Sequence, residues 1–370
     1  MKNIIQSAEA VRAGHPDKIC DFLADEVLDR YIELDPDSRV AVEVMGTGNQ
    51  FIFGGEVCSR GQVTDTELQN MVKNVMEHFD YPADDICVTN LIQPQSTEIN
   101  GKVGNFGISA GDMGITYGYA ENDTDSMLPP CYEIATNLMY VLDRDYKNWD
   151  LGILADGKCI VTTYGKQIMK IVMAVQAEAD ADKSEIYRFI EQEVIDPIVQ
   201  HGGYTYAKDY RFVLDCDNFT IGGTIADTGL TGRKIQNDTY GTNALNGGGS
   251  FSGKDMTKVD RSGAYYARWL ALRLCTEGIC KRCQIMLNWQ LGQPTFTDIV
   301  VNDFNTCKDK DAMVKALERD GGMSLTDIIK TFSPSSFSQI TNYGHFTDCH
   351  EGDPRMPWEE PKFENVMEEY

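Results

Sequence analysis

The stretch Asp227–Arg261, DTGLTGRKIQNDTYGTNALNGGGSFSGKDMTKVDR, decides how the rest of the chain is read. Its glycines, Gly229, Gly232, Gly241, Gly247, Gly248, Gly249 and Gly253, let a backbone lie close against a ligand. Five cations, Arg233, Lys234, Lys254, Lys258 and Arg261, stand among four carboxylates, Asp227, Asp238, Asp255 and Asp260. The segment is therefore net positive within a 370-residue protein of formal charge −24. A polyanion would be repelled by the protein at large, so amide donors and cations concentrated here point to phosphate. Gly248-x4-Gly253-Lys254 matches most of a P-loop, but Asp255 stands where a magnesium-binding hydroxyl belongs, and TNALNGGG is no buried strand. A phosphate-handling loop of another design is expected; a plain solvated loop would leave the clustered cations unexplained.

The chain is long enough for two or three domains, and 42% of its residues are hydrophobic, so a globular protein is expected. No apolar run approaches the roughly 18 residues of a membrane span. The opening MKNIIQSAEAVRAG has no apolar h-region, which points to the cytoplasm. Strong acidity argues against nucleic acid or an anionic membrane as partner. Eleven scattered cysteines include one close pair, Cys280-Lys-Arg-Cys283, with no second pair at zinc spacing; free thiols are expected.

Three times the pattern runs helix, two strands, helix, strand. The first pass takes Ile19, Phe22, Leu23, Val27, Leu28, Tyr31 and Ile32 at helical spacing up to Asp35-Pro36. A hairpin of Val40–Val44 and Phe51–Glu56 follows, then a capping box at Thr64 and Glu67, and a closing strand at Ile86–Val88. The second pass begins near Pro130, with strands Lys158–Tyr164 and Ile168–Val175 and a helix after Asp182. The third begins at Asp260, with strands Cys283–Trp289 and Thr295–Val301 and helices Met313–Leu317 and Leu325–Phe332. The expected fold is α+β: three similar domains in pseudo-threefold arrangement, over residues 1–100, 111–220 and 221–370. Each would rest helices on one face of an antiparallel or mixed sheet. Between the first two, Gln93–Gly114 reads equally as linker or active-site lid.

Gly14-His15-Pro16-Asp17-Lys18 sets a histidine and an acid at a helix mouth, where the acid alone could serve the dipole. Glu43 and Glu56 interrupt apolar strands; periodicity puts them on a solvated sheet face. Asp112 lies in a Gly-flanked turn that fixes no role for it.

Taken together these motifs resemble the S-adenosylmethionine synthetases. The resemblance rests on GHPDK (14–18), GGE (54–56), GD-x-G-x-x-x-GYA (111–120), DGK (156–158) and IGG (221–223). It is densest in D-x-GLTGRK, DTYG, GGG-x-FSGKD and TKVDRS-x-AY, and ends with Tyr343-Gly344-His345-Phe346. It implies attack of the methionine sulfur on C5′ of ATP, with the expelled triphosphate then cleaved to phosphate and diphosphate. It further implies His15 at the C5′ end and Lys158, Arg233, Lys234 and Lys254 around the polyphosphate, with His15, Lys158, Arg233 and Lys254 as the catalytic set. Asp156, Asn218, Phe219, Asp227 and Ser250 would complete the ATP site. Glu56, Gln95, Asp112, Asp227 and Lys258 would hold methionine, Asp17 and Asp260 Mg²⁺, and Glu43 K⁺. Active sites between the subunits of a homodimer, or of a tetramer built from it, are implied as well.

The chain departs from the family pattern at Met113, where glutamine is usual, and at Asn218, where arginine is usual. These changes remove amide hydrogen bonds and one phosphate-facing charge. Two rivals follow: an enzyme of the same fold with altered substrate or triphosphatase activity alone, and a non-catalytic nucleotide-binding paralogue.

Overall fold

The computed structural model describes residues 4–95, 108–347 and 356–361. Most of the segment read as linker or lid, residues 96–107, lies outside the described residues.

The first strand, β1, spans Ile5–Val11 and leads into helix α1, Pro16–Leu34. Pro16 opens that helix with its φ already suited to it, and His15 caps it by accepting the Asp17 N–H. A hairpin of β2, Arg39–Thr47, and β3, Gln50–Cys58, follows. Helix α2, Asp65–His78, carries the expected capping box of Thr64 and Glu67, and strand β4, Cys87–Pro94, runs parallel to β3. Strand β5, Gly114–Glu121, then opens a second round with helix α3, Pro130–Asp145, and the hairpin β6, Ile153–Tyr164, and β7, Gln167–Ala177. Helix α4, Lys183–Phe189, passes through a π-helical segment, Ile190–Ile195, into α5, Asp196–His201. Pro197, which has no N–H for the helical ladder, sits just beyond that widened stretch. Strand β8, Thr205–Asp215, closes the round parallel to β7. The third round has the two-residue strand β9, Gly229–Leu230, helix α6, Val259–Thr276, strands β10, Arg282–Trp289, and β11, Asp298–Asn302, and helices α7, Lys310–Asp320, and α8, Leu325–Phe332.

The fold is α+β, with three sheets ordered β4-β3-β2-β9, β1-β6-β7-β8 and β11-β10-β5. Each round lends the strand before its helix to another round: β1 pairs with β6, β5 with β10, and β9 with β2, all antiparallel. The exchange is cyclic, and it ties the three sheets into one body with a continuous apolar core. Val40, Val42 and Val44 of β2 and Ile19, Leu23 and Val27 of α1 are fully or almost fully buried. Each such side chain contributes about 1.5–3 kcal/mol. Gly118 of β5 meets the α6 backbone at Ala267 so closely that a Cβ would collide, which is why glycine interrupts that strand.

The closing strand of the first round extends to Pro94, beyond Val88, and the last hairpin strand begins at Asp298, after Thr295. Both differences follow from backbone pairing that side-chain alternation does not report. Among the described residues no helix is long and apolar enough to cross a membrane.

Candidate functional site

Helix α1 presents an aspartate every fourth residue, and each one receives a different piece of incoming chain. Asp17 Oδ1 accepts the Leu230 N–H at 3.0 Å, and Asp21 Oδ1 accepts that of Gly232 at 2.8 Å. Asp25 Oδ1 accepts the Gly253 N–H at 2.8 Å, and Asp29 accepts those of Phe337 and Ser338 at 2.8 and 3.0 Å. Residues four apart share a helix face, so this spacing makes a ladder of acceptors whose first three rungs fix the glycine-rich segment and whose fourth holds the chain at Phe337 and Ser338. Around it lie two buried ion clusters. Lys18 reaches Asp238 at 2.8 Å and Asp21 at 3.2 Å, while Arg261 reaches the two oxygens of Asp25 at 2.6 and 3.0 Å. Sequence reading missed Asp21, Asp25 and Asp29; acids at strict four-residue spacing within an apolar helix were the available signal.

The segment so held brings several of the expected site residues together at the mouth of α1. Lys234 Nζ lies 2.5 Å from Asp17 Oδ2, and Arg233 Nε lies 3.6 Å from Oδ1. Arg233 also donates to the Thr228 carbonyl at 2.9 Å and remains exposed. His15 Nδ1 accepts the Asp17 N–H at 3.2 Å, which puts the ring proton on Nε2 as a donor. Burial, then the charges of Lys234 and Lys158, hold its pKa down to about 4, against opposing pulls from Asp17 and Asp227. The imidazole is neutral at physiological pH. Lys158 stands on β6 opposite Val11 of β1, exposed, its side chain making no hydrogen bond or ion pair among the described residues. Asp227 is likewise exposed, its carboxylate accepting the Thr228 N–H at 2.8 Å.

A second cluster forms where GGGSFSGKD meets α6. Lys254 Nζ lies 2.5 Å from Asp260 Oδ2, in the first turn of α6, and Lys258 is the N-cap residue, 4.0 Å from Asp255. Asp255 is structural: it accepts the Val40 N–H at 2.7 Å and that of Thr257 at 2.8 Å. That explains the acid in the last place of the near P-loop. Ser250 packs against Gly232 of the GLTGRK turn, and a small pocket beside the second cluster is lined by Ile235, Gly249 and Asp260.

Asp156 is buried, and its oxygens accept the N–H groups of Gly157 at 2.7 Å and Gly223 at 2.9 Å. It thereby secures the segment that carries Asn218 and Phe219, whose carbonyl accepts the Ala177 N–H at 3.0 Å. Asn218 has φ of 62°, a left-handed conformation that asparagine tolerates far better than most residues. Glu43 and Glu56 lie on the outer face of the first sheet, as alternation predicts; Glu56 accepts from Gln95 Nε2 at 3.0 Å. Asp112 is exposed and accepts the Met113 N–H at 2.7 Å, with Met113 itself 70% exposed. Among the described residues, Glu43, Glu56, Gln95 and Asp112 make no hydrogen bond or ion pair with either cation cluster.

The two clusters suit hard cations and phosphate oxygens. Asp17 and Asp260 each offer a carboxylate already paired with a lysine, and Mg²⁺ is commonly held by one or two carboxylates together with substrate phosphates. Among the described residues no three Cys, His, Asp or Glu side chains form a metal cage, so these two carboxylates would need oxygens from a ligand or water.

Family profiles described as the N-terminal, central and C-terminal domains of S-adenosylmethionine synthetase match residues 3–98, 107–218 and 221–360. The chain is 35% identical over 364 residues to the S-adenosylmethionine synthase of Mycoplasma genitalium, covering 96% of this chain and 93% of that protein. It is 36% identical over 375 residues to that of Mycoplasmopsis pulmonis, covering 97% and 96%. The synthase of Mycoplasma pneumoniae is 36% identical over 363 residues, covering 95% and 92%. With all three domains matched in order and full-length relatives at this identity, the chain belongs to the S-adenosylmethionine synthetase family.

Proposed function

We propose that this protein makes S-adenosyl-L-methionine from ATP and L-methionine in the cytoplasm, and cleaves the triphosphate it expels into phosphate and diphosphate. The observation that carries this reading is the convergence, on one aspartate-laddered helix, of a neutral His15 with Lys234, Arg233 and Asp17. A thioether sulfur is nucleophilic without deprotonation, so the first step needs no general base. It needs stabilisation of charge growing on the leaving triphosphate.

Lys158, Arg233, Lys234 and Lys254 supply that charge, and the Nε2–H of His15 donates to the oxygen leaving C5′. Asp156, Asn218, Phe219, Asp227 and Ser250 shape the nucleotide end. Glu56, Gln95, Asp112, Asp227 and Lys258 bind methionine, with the carboxylates favouring the sulfonium that forms. Asp17 and Asp260 would hold Mg²⁺, whose chemistry here is to neutralise the polyphosphate. Glu43, an exposed carboxylate without a partner among the described residues, would bind K⁺.

A homodimer completes the site in this reading. Glu43 and Glu56 lie on the outer face of the first sheet, which also exposes Leu91 at 55%, and the buried Gln95 donates to Glu56. A second copy packed on that face would bring them to the cation clusters of its partner. The deciding variant is Lys158→Met. It should abolish sulfonium formation while leaving the thermal transition unchanged; wild-type turnover would overturn the assignment.

A further inference from the structure

Four cysteines from separate parts of the third round lie on adjoining segments. Cys275 ends α6, Cys280 lies in the turn before β10, Cys283 is in β10, and Cys307 follows β11. Cys275 Sγ and Cys283 Sγ are 3.8 Å apart, and Cys280 and Cys307 lie on two segments that are bound to each other. The backbone holds the two outer segments side by side. Lys308 N–H donates to the Ile279 carbonyl at 3.2 Å, and the N–H groups of Lys281 and Arg282 donate to Thr306 Oγ1 at 3.2 and 3.0 Å.

The four thiols are not equivalent. Cys275 and Cys283 are essentially inaccessible and donate to the carbonyls of Ala120 and Ala271 at 3.6 and 3.5 Å. The Cys283 and then the Cys307 thiols beside Cys280 outweigh its burial and hold its pKa down to about 7, with Asp303 opposing and Lys310 assisting. Cys307 Sγ itself donates to the Asp309 carbonyl at 3.2 Å. Cys280 is covered, and Cys307 is partly exposed. Metal binding would need at least three converging ligands, and no such group occurs among the described residues.

We infer that Cys280 and Cys307 are an oxidation-sensitive pair that closes to a disulfide in the presence of hydrogen peroxide. The Cys280 thiolate attacks one peroxide oxygen, the O–O bond breaks, and the departing hydroxide takes a proton to become water, leaving a sulfenic acid. Cys307 Sγ then attacks that sulfur, the S–O bond breaks, and the hydroxyl leaves with the Cys307 proton as a second water. Two thiols are oxidised and one peroxide is reduced. The product staples the loop after β11 to the turn before β10.

Peroxide titration of the full-length protein, followed by non-reducing peptide mapping, tests this. The expected result is a mass loss of about two units with a Cys280–Cys307 cross-linked peptide, reversed by dithiothreitol. In Cys307→Ser, a change at a partly exposed position, Cys280 should stop at the sulfenic acid and be trapped by dimedone. A cross-link between Cys275 and Cys283 instead would overturn the inference. So would oxidation of the exposed Cys58 and Cys87 while Cys280 stays reduced, or stoichiometric zinc that a chelator removes.

Discussion

Asp25 and Arg261 form a two-point ion pair, at 2.6 and 3.0 Å, with neither side chain exposed. The same carboxylate also accepts the Gly253 N–H and the Thr341 hydroxyl, so a single aspartate of α1 fixes the GKD turn, the start of α6 and the chain near Thr341. Removing it strands a guanidinium in the core. Asp25→Ala should therefore lower unfolding free energy by about 3–5 kcal/mol in urea denaturation. A loss below about 1 kcal/mol would mean that the ladder is not what holds the loop.

Gly249 sits against Asp260. A Cβ there would collide with the carboxylate, which is only partly buried and can swing away. Gly249→Ala is expected to cost activity, at least tenfold in kcat/KM or about 1.4 kcal/mol, with little change in melting temperature and a higher Mg²⁺ requirement. Unchanged Mg²⁺ dependence would remove Asp260 from the metal site.

His15 is neutral because burial and the lysines around it hold its pKa near 4, so only strong acid protonates it. With five histidines in the chain, isotope-labelled imidazole NMR can follow it, and its titration should centre near pH 4. The folded value lies below the ordinary 6.5, so the unfolded chain binds more protons between the two. The stability contribution from His15 is complete above about pH 6.5 and is lost as pH falls towards 4. His15→Asn should accordingly lose less stability than wild type across that window. A His15 titration near 6.5 would contradict the picture of the site.

Asn218 combines an unusual residue with an unusual conformation. Restoring arginine there would return a charge near the proposed nucleotide end but would put at φ of 62° a residue that lacks asparagine's tolerance of the left-handed region. Asn218→Arg is expected to lower stability by about 1–2 kcal/mol, whatever it does to the ATP KM. A stabilised variant would show that the backbone there adjusts freely.

The helices were legible because their apolar residues recur at helical spacing, and the Thr64 capping box was legible because two residue types three apart suffice. The cyclic exchange of β1, β5 and β9 was not. Ile5–Val11 mixes Gln6, Ser7 and Glu9 among small residues, and β9 is two residues long; what makes them strands is a partner more than a hundred residues away. The cations of the glycine-rich stretch made it a candidate phosphate site, and the structure gathers Arg233 and Lys234 on Asp17, and Lys254 on Asp260. Asp21, Asp25 and Asp29 went unread because a carboxylate in a helix is ordinarily taken for the solvated face; their real partners, backbone N–H groups, leave no mark on composition.

The central claim is sulfonium synthesis coupled to triphosphate cleavage at one site. Incubating the purified protein with ATP, L-methionine, Mg²⁺ and K⁺, then quantifying S-adenosylmethionine by mass spectrometry alongside phosphate and diphosphate, tests it directly. Equal amounts of all three products are predicted. Phosphate released without S-adenosylmethionine, or ATP bound with no product formed, would contradict the account.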